Sequence, residues 1–215
     1  MHRCEPDWYF FEGVSTLGRL DEKKKKKRED LLAAAYELFT SQGIFDTSIS
    51  DIVKRAEMAK GTFYLYFRDK YEIRNELITQ KAGRLFQIAR EKIQHKKFKS
   101  LEENVLQVVD IIIEELNADK TLLEFIAKNL HWGLFHKVLL EGGNEVSNSF
   151  YDWYTELIQE SGRKFRNHEL VIYMIVELVN STCYNVILYE APVKLAELKE
   201  ELYKLIPIII KNQEI

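Results

Sequence analysis

The sequence predicts an all-α protein: an N-terminal three-helix head with a helix-turn-helix, joined by a long helix to a larger helical body. Three observations carry that expectation. Apolar residues recur at helical spacing from Leu31 to Ile210, with no strand-like alternation of any length. Only 3 prolines and 9 glycines interrupt 215 residues, too few for a fold of many short strands. The hydrophobic share of 46% is ample for a sizeable core.

Element by element, Glu29–Gln42 places Leu31, Leu32, Ala35, Leu38 and Phe39 on one helical face, and Gly43 stops it. Ile49, Ile52, Val53 and Ala56 form a second stripe of about two turns, with Thr47 or Ser48 available as N-cap. Lys60–Tyr66 begins a third piece, with Phe63 and Phe67 one turn apart. A long helix follows from Lys70 to Lys97, marked by Ile73, Leu77, Ala82, Leu85, Ala89 and Ile93.

The body then reads as Leu101–Leu116, Leu122–Trp132, a short piece Leu134–Glu141 ended by Gly142-Gly143, Asn144–Glu160, His168–Glu190, and Val193–Ile210 with Pro207 inside it. These boundaries divide the chain into an arm at 1–22, a head at 23–69 and a body at 70–215. The opening segment holds Trp8-Tyr9-Phe10-Phe11, but acids flank it and no apolar h-region of about 7–15 residues follows. It is expected to be a disordered arm or a non-native extension.

Charge is unevenly spread. Residues 21–97 carry 18 Lys/Arg against 12 Asp/Glu, and residues 98–215 carry 11 against 19. A basic head on an acidic body is the pattern of a nucleic-acid-binding module attached to a non-binding one. The run Lys23–Lys27 supplies most of that excess, as a solvated stretch or as an arm reaching the minor groove.

Two cysteines far apart, Cys4 and Cys183, exclude a disulfide framework and fit free thiols in the cytoplasm. The most apolar stretch, Leu170–Tyr189, carries Glu177, Asn180 and Asn185, which argues against a membrane span. No phosphate loop, nucleophile elbow, zinc motif or paired carboxylates stand out, so no catalytic residues, no metal and no cofactor are expected. His131 and His136 are five apart and diverge on a helix, which is the wrong spacing for a metal pair.

The most informative stretch runs from Gly43 to Lys70. A helix-turn-helix needs a support helix, a tight turn, and a second helix with small or polar outward residues that fit the major groove. Met58 is suited to lie under the turn, and Phe63 and Phe67 to lock the second helix to the core. Lys60, Thr62, Tyr64 and Tyr66 are left for DNA, and Gly61 permits close approach to the groove wall.

Over residues 28–75 the chain resembles the TetR/AcrR family of bacterial regulators, through Ala35, Phe39, Gly43, Thr47, Asp51-Ile52, Ala56, Lys60-Gly61-Thr62-Phe63-Tyr64, Tyr66-Phe67 and Lys70. The resemblance implies that Thr47 and Lys70 clamp phosphates and that Ser48 and Ser50 reach phosphate from the second helix. It also implies that Lys60, Gly61 and Thr62 open the groove-facing helix, with Tyr64 and Tyr66 on backbone or base edges. Two positions depart from the family: Glu57 stands where glycine is usual in a left-handed turn, and Ala59 where Ser or Thr caps the next helix. Both point to weaker or altered DNA binding.

The body resembles the family in architecture. It implies a small-molecule effector among the long helices, for which Phe125, Asn129, Trp132, Phe135, Tyr151, Tyr154, Tyr173 and Tyr184 are the candidate lining. It implies too a homodimer pairing Asn144–Glu160 and His168–Glu190, through Leu170, Tyr173, Met174, Val176 and Leu178. The resulting expectation is a cytoplasmic, ligand-responsive repressor on a palindromic double-stranded DNA operator, released by its effector. The alternative is a helical interaction protein whose head has lost DNA affinity.

Overall fold

A computed structural model of the chain describes residues 11–127 and 145–215, with side chains over 21–127 and 152–215. Nine helices lie in the described residues. We number them α1 (Phe11–Ser41), α2 (Ile49–Arg55), α3 (Lys60–Tyr64), α4 (Lys70–Ile93), α5 (Leu101–Ala118), α6 (Lys120–Ala127), α7 (Glu145–Glu160), α8 (His168–Tyr189) and α9 (Leu195–Asn212). The fold is all-α. Its one β-type pairing among the described residues is an isolated bridge between Phe165 and Glu214.

The chain divides into two compact units, Met1–Arg74 and Asn75–Ile215, so the division falls inside α4, one turn beyond the boundary read from sequence. In the first unit α1 packs on α2 and α2 on α3. Leu31, Ala35, Phe39, Ile52, Val53, Phe63, Phe67 and Ile73 are buried there. Fully burying Phe63 alone contributes about 1.5–3 kcal/mol.

α1 starts at Phe11, well before the Glu29 start read from the apolar stripe. The segment 11–22, expected as a disordered arm or a non-native extension, lies within α1. Asp21 and Glu22 stand four residues before Lys25 and Lys26, a spacing that favours helix there. Residues 1–10 of that expected arm lie outside the described residues.

In the second unit α8 packs on α6 and α9, and α5 on α6, α8 and α9. By length and composition α8 could cross a membrane. Here, however, Val171, Ile175, Val179, Cys183, Val186 and Ile187 turn its stripe into the unit's core. Burial pushes the Cys183 thiol up to about 11, and Cys4 lies outside the described residues. α9 continues through Pro207 to Asn212. The expected piece Leu134–Glu141, its Gly142-Gly143 stop, and His131 and His136 all fall outside the described residues.

Two polar clusters tie this unit together. Arg163, in the α7–α8 loop, donates to Glu102 at 2.5 Å and to Glu214 at 2.7 Å. The Ile215 amide donates to the Lys164 carbonyl at 2.9 Å, so the chain end is stitched to the same loop. Lys199 on α9 reaches both Asp110 and Glu114 on α5 at 2.5 Å, and the Tyr203 hydroxyl donates to Asp110.

Burial alone would raise the Glu102 carboxyl, but the hydrogen bond and charge of Arg163 bring it below its ordinary value. The Arg163 hydrogen bond lowers Glu214 as well. Carboxylates depressed in the folded chain add stability above their ordinary titration range and lose it as pH falls through the folded values. The thermal midpoint should therefore stay level from about pH 7 to pH 5.5 and drop steeply below about pH 4.5. Arg163→Met, followed by thermal unfolding across pH, should lower the plateau and flatten that acid limb.

Candidate DNA interface and ligand cavity

The candidate interface begins at Gly43, whose φ of +88° ends α1 in a conformation that only glycine adopts cheaply. Thr47 is 1% exposed. Its hydroxyl donates to the Gly43 carbonyl at 2.7 Å and accepts from Gln42 at 3.2 Å. Opposite it, the Lys70 ammonium donates to the carbonyls of Ile44, Phe45 and Thr47 at 2.8, 3.1 and 2.9 Å.

Both side chains expected to clamp phosphate are also bonded within the head, where they brace the α1–α2 loop. Lys70→Met keeps the stem and removes the three donors. It should cost about 2 kcal/mol in urea unfolding.

Ser48 caps α2 through a reciprocal box with Asp51. The Asp51 amide donates to the serine hydroxyl at 3.1 Å, and the Ser48 amide donates to the carboxylate at 2.8 Å. The Ser48 hydroxyl also donates to that carboxylate at 2.6 Å. These bonds hold the Asp51 carboxyl below its ordinary value. Ser48 therefore works first as a cap, while Ser50 is exposed beside it.

The turn out of α2 is a Schellman motif. Met58 N–H donates to the Val53 carbonyl at 2.8 Å and Glu57 N–H to Lys54 at 3.2 Å. Closing it puts Glu57 at φ +55°, the left-handed region where a side chain is strained. Glu57 thus keeps the left-handed backbone usual at this position. Relieving the strain with Glu57→Gly should raise stability by about 1 kcal/mol, read as a higher urea midpoint. Ala59 opens α3 with no side-chain cap, as anticipated.

α3 is short and its orientation is set by Phe63, which is 0% exposed and packs on Phe67 with ring centres 5.7 Å apart and planes tilted by 46°. The Arg28 guanidinium lies 5.4 Å from the Phe67 ring centre. With Phe63 inward, steps of about 100° place Gly61 and Leu65 on the opposite side, one turn apart. The structure bears this out: a Cβ on Gly61 would meet nothing within 4 Å, and Leu65 is 80% exposed.

Tyr64 is 54% exposed on one flank, beside the exposed Lys60. Thr62 and Tyr66 are half-buried. Leu65 shares the Gly61 face, although polarity selected the contact residues expected from sequence. The i+4 step from Gly61 was the available signal.

Within the second unit lies a cavity of about 110 Å³, several times the roughly 10–15 Å³ a single water needs. Its wall is aliphatic, made by Leu85, Leu101, Val105, Val108, Ile112, Ile175, Val176 and Val179 among others, with Phe86, Trp153, Tyr154 and Asn180. Of the aromatic lining expected, Tyr154 faces the cavity, with its hydroxyl donating to the His168 carbonyl at 2.7 Å. Phe125 is buried, Tyr173 and Tyr184 are half-buried on α8, and none of the three is among the residues lining this cavity. Asn129, Trp132 and Phe135, with the side chain of Tyr151, lie outside the described residues.

Among the residues expected at a dimer surface, Leu170 is 37% exposed. Tyr173 and Met174 are half-buried and share its face of α8, with Leu178 at the edge. Val176 lies on the other flank of the helix and lines the cavity.

A family model for bacterial regulatory proteins of the tetR family matches residues 31–77. YvdT of Bacillus subtilis, an uncharacterized HTH-type transcriptional regulator, is 32% identical over 144 residues, covering 67% of this chain and 70% of that one. The fatty acid metabolism regulator protein of the same organism is 33% identical over 75 residues, 35% of this chain and 39% of its own. Among solved structures, the fatty acid degradation regulator FadR of Bacillus halodurans superposes with a TM-score of 0.58 at 25% identity, over 84% of this chain and 94% of that one. A tetR-family transcription regulator from Shewanella sp. PV-4 gives 0.65 at 16% identity, over 88% and 98%. With the helix-turn-helix built from Phe63 outward and a relative aligned across two thirds of both chains, the protein belongs to the TetR family of bacterial transcriptional regulators.

Proposed function

We propose that this regulator is a cytoplasmic, homodimeric repressor. Its two α3 helices read a palindromic operator, and an apolar small molecule in the body cavity releases it. The observation that carries the DNA half is the orientation of α3, with Phe63 pinned inward and the Gly61 edge bare. Lys60, Gly61, Thr62, Tyr64 and Tyr66 then face the groove, with Ser50 toward phosphate. Thr47, Ser48 and Lys70 hold the elements that aim them. Pairing through the Leu170–Tyr173–Met174 face of α8 would set two recognition helices about one DNA turn apart.

The cavity wall supports the ligand half. With Asn180 as its polar side chain apart from the Tyr154 and Trp153 tips, it suits an acyl-type chain over a polar or charged molecule. The relative named as a fatty acid metabolism regulator points to the same chemistry.

A second reading has support in the strained Glu57 and the uncapped α3: a helical interaction protein whose head no longer holds DNA. Fluorescence anisotropy with DNA flanking the chain's own gene separates them. A repressor binds it tightly at low salt and loses about a thousandfold or more between 50 and 200 mM salt. Binding no stronger than to unrelated duplex supports the second reading.

A further inference from the structure

Leu65 is informative for where it stands. It sits 80% exposed at the end of α3, one turn from Gly61 on the face opposite Phe63. Its backbone is still right-handed helical, at φ −75° and ψ −20°, so the ridge continues through it. The neighbours on that ridge offer no apolar cover: a Cβ on Gly61 meets open space, and Lys60 is exposed. Isolated surface leucines are ordinary. This one caps a five-residue helix on the face opposite Phe63, where the other outward position, Gly61, has no side chain.

We propose that Leu65 selects thymine in the operator by packing on its C5-methyl group. The proposal rests on α3 being the DNA-facing helix and goes beyond it by naming what the helix reads. In the major groove the four base pairs present donors and acceptors, and thymine alone adds an apolar group. A leucine has no hydrogen-bond capacity, so against any other base edge it strips water from polar atoms and returns nothing. Against the methyl it buries apolar area on both sides. Gly61 lets the backbone approach closely enough for a side chain one turn later to reach base depth, and Lys60 and Tyr64 on the flank are left for phosphate and polar edges.

The test uses the full chain and a duplex that the wild-type protein selects from a randomised library. Each thymidine of that duplex is replaced in turn by deoxyuridine, which pairs identically and lacks only the methyl. Anisotropy titrations at fixed salt are run with the wild type, Leu65→Ala and Leu65→Met. At one thymidine per half-site, deoxyuridine should weaken the wild type about fourfold, and about fifteenfold with both half-sites changed. Leu65→Ala should lose a similar factor on thymidine DNA and become indifferent to the replacement, while Leu65→Met retains most of the discrimination.

Because Leu65 is exposed, unchanged thermal midpoints verify that the variants fold. If Leu65→Ala weakens thymidine and deoxyuridine duplexes equally, or changes neither, Leu65 reads no methyl and the proposal is overturned while DNA binding stands. If the wild type enriches no sequence at all, the DNA-facing assignment of α3 fails and this proposal with it.

Discussion

Gly61→Glu is expected to remove operator binding while leaving the fold at least as stable. A Cβ at Gly61 meets no atom within 4 Å, so nothing in the head must move to admit a side chain. Glutamate also propagates helix better than glycine, by about 0.5–1 kcal/mol. The loss lies wholly on the DNA side. A carboxylate projecting from the outward ridge enters a groove walled by phosphates, and a dimer presents it twice. Anisotropy should show at least about a hundredfold weaker binding, alongside a urea midpoint equal to or above the wild type. Gly61→Ala should fall between, gaining stability and losing about tenfold in affinity. A Gly61→Glu protein that binds DNA normally would place the recognition surface elsewhere.

The second large effect concerns the cavity. Palmitoyl-CoA at saturating concentration should raise the wild-type thermal midpoint by about 5–10 °C, because ligand at a hundred times its Kd adds about 2.7 kcal/mol. It should also weaken DNA binding, and DNA must weaken the ligand by the same factor. Val176→Trp sets an indole into the space between α5 and α8 without disturbing the head, since Val176 lines that wall. This variant should keep its DNA affinity and show neither the thermal shift nor the release. Palmitate without CoA, run in parallel, tells whether the chain alone suffices. An equal thermal shift in Val176→Trp and wild type would move the ligand out of this cavity.

What sequence could reveal about the head follows from how local its determinants are. The cap of α2, the turn at Glu57 and the inward Phe63 each depend on residues within five positions of one another. Their chemistry is therefore visible as spacing. Lys70 shows the opposite case: its carbonyl partners lie 23 to 26 residues away, so nothing in the local pattern announces them.

The cavity was harder for a different reason. An empty volume forms where side chains from several helices fail to meet, and no single helix records it. Aromatics were chosen as its lining on chemical grounds, whereas the wall is mainly Leu, Ile and Val from α4, α5 and α8. Val176, expected at the dimer surface, also lines the cavity, since α8 is apolar nearly all round and periodicity cannot divide such a helix between two faces. Leu65 was passed over because polar residues were sought for a polar groove.

Selection from a randomised duplex library, run in parallel with wild-type and Gly61→Glu protein and read by sequencing, bears most directly on α3 as the operator-reading helix. The wild type should enrich an inverted repeat with half-site centres about 10 base pairs, or a multiple of that, apart. Gly61→Glu should enrich nothing. Recovery of the same repeat by both proteins would contradict it.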